Sequence, residues 1–199
     1  MVTLRPYRES DLDALYAICL QTGDSGADAT GQHNDPKAVG HLYAAPYGVL
    51  EPQHVFVAED DAGVAGYVVG TFDTRQFEEW LESEWFPPLR THYADVSQEV
   101  VKPADRMRIE AIMTPGTNPA EIVAAYPAHI HMNLLPRLRG QRVGTGLLER
   151  WIDAARAGGV RGIHLGANSK NAGGIAFWSK SGFQPVAEIA RTTWFGMNL

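Results

Sequence analysis

The stretch that decides the fold is PRLRGQRVGTGLL, residues 136–148. A strand-forming run over 128–135 precedes it, and an amphipathic pattern over 143–157 follows it, so its glycines stand where a strand turns into a helix. Backbone N–H groups at the start of such a helix lie at the positive end of its dipole and bind phosphate oxygens. Glycines lack a Cβ and allow a phosphate close to the backbone. The stretch therefore predicts a phosphate-binding turn.

Two common phosphate-binding motifs do not fit this turn. A P-loop requires Lys and then Ser or Thr after its last glycine, but Leu147 follows Gly146. A dinucleotide fingerprint requires a third glycine three residues further on, where Glu149 stands. The pattern that fits is Gln-x-x-Gly-x-Gly, formed by Gln141, Gly144 and Gly146.

This pattern resembles the pyrophosphate-binding signature of the GNAT acetyltransferase superfamily. A second segment, NAGGIAFWSKSGF at 171–183, resembles the family's second cofactor motif, although Asn171 also suits a plain helix N-cap. The resemblance implies acetyl-CoA as the cofactor. The residues that it implies for cofactor binding are Leu134, Leu135, Arg139, Gln141, Arg142, Val143, Gly144, Thr145, Gly146, Asn171, Phe177 and Trp178.

The predicted fold class is α/β (α+β), a GNAT fold whose mixed, mostly antiparallel central sheet is flanked by helices, with a helical insertion between the third and fourth strands. The insertion is similar to the acetyltransferase-like domain at the C-terminus of O-GlcNAcases, and we expect one domain over 1–199. The predicted elements are strand 2–7, helix 11–20 with Ser10 as N-cap, loop 22–36, hairpin strands 55–59 and 63–71, helix 76–86 stopped by Pro87 and Pro88, helix 118–126, strand 128–135, helix 143–157, strand 162–167, helix 171–181 and closing strands within 186–195, with 91–113 unassigned.

In this family the acceptor amine attacks the thioester directly, where the fourth and fifth strands part. The resemblance implies that a backbone N–H near Leu134 or Leu135 stabilises the oxyanion. Freeing the lone pair of a lysine-like amine at neutral pH costs roughly 4–5 kcal/mol, whereas release of a thiolate needs only about 2 kcal/mol. A general base is therefore worth more than a general acid.

Candidate catalytic residues come from three places. His129, His131 and Asn133 share one face of the fourth strand; His131 is either the base or a hydrogen-bonded histidine lining a cavity, and Asn133 either contacts a substrate or caps the strand. Asp73 either binds the acceptor amine or is an exposed turn residue. Trp178 stands where many members have a Tyr general acid, and an indole donates a hydrogen bond without releasing its proton. No third ligand accompanies the two histidines at metal-site spacing.

Composition narrows the class of protein. With 17 Lys+Arg against 23 Asp+Glu, the net charge of −6 argues against a non-specific nucleic-acid binder. No apolar run approaches membrane-spanning length, and no signal peptide is visible, so we expect a cytoplasmic protein. The prediction is an N-acetyltransferase acting on a small-molecule or peptide amine; the alternative is a non-catalytic acetyl-CoA-binding sensor or scaffold. Residues 184–199 either pair across a homodimer or finish the sheet.

Overall fold

A computed structural model describes residues 1–96 and 101–199. Seven strands form one mixed sheet in the order β1-β2-β3-β4-β5-β7-β6, in which only β4 and β5 run parallel. This confirms the predicted fold class. The strands are β1 (Thr3–Pro6), β2 (Phe56–Asp60), β3 (Gly63–Thr71), β4 (Ala128–Leu134), β5 (Gly162–Asn168), β6 (Gln184–Ile189) and β7 (Thr192–Asn198).

Helices cover both faces of the sheet. Ser10 is not the N-cap of the first helix: it lies in the 3-10 turn Glu9–Asp11, and Asp11 precedes the helix without a capping side-chain bond. The helices are α1 (Leu12–Gln21), α2 (Gly40–Tyr43), α3 (Ala45–Leu50), α4 (Thr74–Trp80), α5 (Phe86–Ala94), α6 (Pro103–Met113), α7 (Ala120–Ala125), α8 (Val143–Ala157) and α9 (Ala172–Lys180).

The insertion between β3 and β4 is helical, as predicted, but Pro87 and Pro88 do not stop its first helix. A π-helical segment, Leu81–Trp85, joins α4 directly to α5, and both prolines occupy the first turn of α5. The first turn of a helix tolerates proline because its N–H groups have no intrahelical acceptor. The unassigned stretch 91–113 supplies the end of α5 and all of α6, and residues 97–100 within it lie outside the described part of the chain.

The two faces of β4 look onto different parts of the protein. Met132 and Leu134 face α8, where they lie beside Gly144. His129 and Asn133 face the other side, where they contact side chains of α3, α4 and the residue after α1. Sequence alternation along one strand therefore separates an apolar helix-packing face from a polar face.

β4 and β5 part soon after they begin. Only two residue pairs are in register between them, Ala128 with Ile163 and His129 with His164. Beyond His129 the rest of β4 pairs with β3 alone. This divergence opens a slit through the sheet, and the slit positions the candidate active site.

Candidate active site

A cavity of about 1400 Å³ runs from the N-terminus of α8, along the polar face of β4, to the inserted helices. It therefore brings together most of the residues predicted for cofactor binding and catalysis. Among those residues, the ones lining it are His131, Asn133, Leu134, Arg139, Arg142, Val143, Gly144, Thr145, Asn171, Phe177 and Trp178. Asp73, Leu135, Gln141 and Gly146 do not line it.

The N-terminus of α8 is an uncapped helix end. Arg142 at the N-cap position has a left-handed backbone, with φ of 60°, and its side chain makes no capping hydrogen bond. The first helical bond closes from the Gly146 N–H to the Arg142 carbonyl. The amides of Val143, Gly144 and Thr145 consequently have no acceptor within the helix. Such an end suits an anion.

The two glycines of α8 have a packing role. A Cβ on Gly144 would lie 2.9 Å from Leu134 Cδ1, and a Cβ on Gly146 would lie 2.7 Å from Leu4 Cδ1. Both positions therefore face the sheet and let the helix approach it closely. The glycines therefore also serve helix packing, and close approach of a phosphate to their backbone stays a prediction.

Side chains of the turn before α8 stabilise that turn through hydrogen bonds and an ion pair. The Gln141 side chain donates to the Arg137 carbonyl over 2.6 Å, and Arg139 donates to the carbonyls of Leu134 and Gly26. Arg137 forms an ion pair with Asp60. Among Arg137, Arg139 and Arg142, Arg142 therefore has the guanidinium with the fewest bonds to the rest of the protein.

Of the two backbone amides predicted to stabilise the oxyanion, those of Leu134 and Leu135, only one is free to do so. The Leu135 N–H donates to the Ala65 carbonyl over 2.8 Å, so it is not available to a ligand. Because successive amides of a strand alternate in direction, the Leu134 N–H points to the opposite side, toward the slit.

His129 is fully bonded within the protein. Thr74 Oγ1 lies 2.7 Å from the Pro127 carbonyl, which can only accept, and 2.8 Å from His129 Nδ1. The threonine proton goes to the carbonyl, so Nδ1 carries a proton and donates, and Nε2 accepts from the Tyr47 hydroxyl at 2.7 Å. Burial, with smaller contributions from His131 and His164, holds the pKa of His129 well below its usual range. His129 is a neutral, structural histidine.

His131 has a different environment two residues further along. It has no hydrogen-bond partner among the described side chains, and the rings of Tyr43 and Tyr47 lie 5.9 and 5.7 Å from its own, centroid to centroid. Burial, with a smaller contribution from His164, lowers the pKa of His131 to about 4. Its imidazole is therefore neutral at physiological pH and has a nitrogen lone pair available to a ligand.

Asn133 connects the strand to the end of α1. Its amide donates to Thr22 Oγ1 over 2.5 Å, and its carbonyl oxygen accepts from the Tyr67 hydroxyl over 3.0 Å. Thr22 in turn donates to the Ile18 carbonyl. Asn133 lines the cavity with one N–H and one oxygen lone pair of its side chain already used.

Three further predicted residues are placed clearly by the structure. Asp73 is not at the cavity: it is the exposed N-cap of α4 and accepts from the amides of Arg75 and Gln76. Asn171 is the N-cap of α9, accepting from the Gly174 amide over 2.9 Å. Trp178 is 8% exposed and its ring packs on its aromatic neighbours, so it lies at the edge of the cavity as a core residue.

Sequence reasoning missed Arg108 of α6 as a functional candidate. It lines the cavity beside Tyr43, although it lies in the stretch that the sequence left unassigned. Its signal was weak because an arginine in a polar helical segment has no local motif. Only the packing of α6 against α2 and α5 shows that it faces the cavity.

Comparisons with known proteins show the family and the fold. The sequence profile described as the acetyltransferase (GNAT) family matches residues 115–183. The crystal structure of SsHAT superposes with a TM-score of 0.86 at 33% identity, covering 99% of this chain and 98% of that one. The Thermoplasma acidophilum PaiA N-acetyltransferase, solved in complex with coenzyme A, has the same fold at 12% identity, with a TM-score of 0.61 and coverage of 100% and 99%.

A curated relative, protein O-GlcNAcase of Rattus norvegicus, is 23% identical over 188 residues, which is 94% of this chain. The chain spans about a fifth of the length of that relative, 20%. The fold, the cavity and these matches define an acyltransferase. The chain belongs to the GNAT acetyltransferase family.

Within residues 1–96 and 101–199, no helix is both long and apolar enough to cross a bilayer.

Proposed function

We propose that the chain transfers the acetyl group of acetyl-CoA to an amine, which attacks the thioester directly in the slit between β4 and β5. The observation that carries this proposal is the continuity of the cavity. One space joins the uncapped end of α8 to the free imidazole of His131, and it passes the point where β4 and β5 part. A long nucleotide thioester requires such a passage, with an anion site at one end and a reaction site at the other.

The cavity divides into two functional parts. The amides of Val143, Gly144 and Thr145 would hold the diphosphate at the end of α8, with Arg142 adding positive charge. The Leu134 amide, directed into the slit, would donate to the thioester carbonyl and stabilise the oxyanion that forms on attack. The polar face of β4 then receives the acceptor.

His131 would accept the proton that the amine loses. A base with a pKa of about 4 does not deprotonate a free ammonium whose pKa is roughly 10. We therefore infer that the amine enters neutral and that His131 accepts its N–H. The amine nitrogen forms a bond to the acyl carbon with its electron pair, and its N–H proton moves to the imidazole as that pair is used. The imidazolium, whose pKa is about 4, then gives the proton to the departing thiolate or to water.

The carbon–sulfur bond then breaks and the electron pair leaves with the thiolate. Trp178 supplies no proton, because an indole N–H is not an acid at physiological pH. The thiolate of the leaving group, with a pKa near 8.5, costs only about 2 kcal/mol to release at neutral pH. A dedicated acid is therefore not required.

The direct test combines calorimetry with a thiol-release assay. Acetyl-CoA should bind, and amines should accelerate the release of free thiol measured with a disulfide reagent. The protein's own thiol gives little background, because Cys19 is buried and burial raises its pKa to about 11. Binding without thiol release on any amine would contradict transfer and leave a non-catalytic acetyl-CoA-binding domain.

A further inference from the structure

Arg108 is a partly exposed arginine with one buried side-chain donor that has no partner. Its Nη1 donates to the Tyr43 hydroxyl over 3.2 Å, and the group also lies over the Tyr43 ring, 5.4 Å from the centroid. Its Nε is buried and has no acceptor. Buried donors on charged groups nearly always have a partner, so this N–H is available to a group that enters the cavity.

The cavity offers Arg108 no counter-ion. Glu78 is the single carboxylate among the described lining residues, and it is already held by Arg75 and by the backbone and side-chain amides of Asn118 at 2.7 and 2.9 Å. Surface arginines of the same chain do find carboxylates: Arg90 lies 2.6 Å from Glu82. The cavity therefore contains an uncompensated positive charge on its inserted-helix side.

The positive charge of Arg108 lies at the His131 end of the cavity, where the acceptor amine is expected. Its partner Tyr43 has its ring 5.9 Å from that of His131, whereas the α8 amides line the opposite end. The surrounding wall is apolar and is formed by Leu42, Tyr47, Phe77, Leu81, Phe86 and Ala111.

We propose that the amine acceptor carries an anionic group, a carboxylate or a phosphate monoester, which Arg108 binds while the amine faces His131. This inference rests on the proposed acetyl transfer and names the substrate class for it. The guanidinium presents Nε–H and Nη–H in the fork that matches two oxygens of such a group. Its positive charge also disfavours an ammonium nearby, so it favours the neutral amine that attack requires.

The test compares amines with and without the anion. Three anionic acceptors are glycine, β-alanine and aminobutanoate, each compared with its primary amide. A fourth, O-phosphoethanolamine, is compared with ethanolamine. The four acceptors differ in the distance between amine and anion. Wild type should acetylate at least one anionic member with a kcat/KM about tenfold to 100-fold above that of its neutral counterpart. Arg108→Gln should remove that preference while leaving the Kd for coenzyme A unchanged.

Matched variants separate charge from geometry. Arg108→Lys keeps the charge but not the fork and should restore part of the preference, whereas Arg156→Gln removes an exposed charge on α8 and should change nothing. Equal activity on both members of every pair, or an equal loss on both in Arg108→Gln, would overturn the proposal and leave acetyl transfer intact. An Arg108-dependent preference for succinyl-CoA over acetyl-CoA would instead assign the anion to the donor and also overturn it.

A binding measurement tests the anion site if no amine is acetylated. Calorimetry on the protein saturated with coenzyme A then measures the same acids and amides directly. Binding of the acids alone, lost in Arg108→Gln, would support the anion site while contradicting transfer. No preference for the acids over the amides would contradict the anion site itself.

Discussion

The Tyr47 hydroxyl donates to Nε2 of His129 over 2.7 Å, and both residues are buried. This bond completes the hydrogen bonding of the His129 imidazole. The imidazole of His131, in contrast, has no hydrogen-bond partner among the described side chains and makes only ring contacts. The two histidines of one strand face therefore have different roles, and substitution can separate them.

Tyr47→Phe should destabilise the fold with little effect on the chemical step. The change leaves Nε2 of His129 buried and unpaired, which costs about 1–3 kcal/mol in the free energy of unfolding. Tyr43→Phe is the matched control, since its hydroxyl is bonded only at the more exposed Arg108, and it should cost less than about 0.5 kcal/mol. Urea unfolding measures both, and equal losses would contradict the structural role of His129.

His131→Asn should lower kcat by about 100-fold and leave the Kd for coenzyme A unchanged, because it removes the proton acceptor and no diphosphate contact. The wild-type rate should rise with pH up to the pKa of the amine, without an inflection near 6.5, since a His131 pKa of about 4 keeps the imidazole in its basic form throughout. An inflection between pH 6 and 7 that the variant abolishes would show that His131 titrates normally and would contradict this description.

Stability should fall as the pH is lowered from about 6.5 toward 4. The pKa values of His129, His131 and His164 are all depressed in the folded protein, chiefly by burial. Below about 6.5 the unfolded chain therefore binds protons that the folded chain does not, and His131 contributes a slope of up to about 1.4 kcal/mol per pH unit down to its pKa of about 4, with contributions of the same sign from His129 and His164. His131→Asn should reduce the slope by one such contribution. An unchanged slope would mean that His131 is protonated equally in both states.

The local signals in the sequence were sufficient for the framework around the cofactor. The sequence predicts the bounds of α8 residue for residue, because a glycine turn, an amphipathic stripe and the glycine pair Gly158-Gly159 after its last residue all indicate the same helix. The mixed sheet with its helical insertion is also confirmed. For α8 the pattern lies within the element that it predicts, whereas the sheet was expected from the family resemblance.

The acceptor side depends on contacts that no local pattern contains. Asn133 is bonded to Thr22, 111 residues away, and Arg108 reaches the cavity only through the packing of the insertion. Pro87 was interpreted as a stop because the π-helical segment before it has no sequence signature. Asp73 satisfied a chemical expectation, but its local capping bonds place it outside the cavity. The cytoplasmic location and the homodimer stay predictions.

The central claim is that the free amides at the start of α8 bind the diphosphate of coenzyme A, and calorimetric titration of Thr145→Glu tests it most directly. A carboxylate in the first turn favours the helix, so the melting temperature should hold or rise slightly. It also repels the diphosphate, so the Kd for coenzyme A should increase at least about tenfold. The neutral control Thr145→Gln should bind as wild type does. Wild-type affinity in Thr145→Glu, or no binding of coenzyme A by the wild-type protein, would contradict the claim.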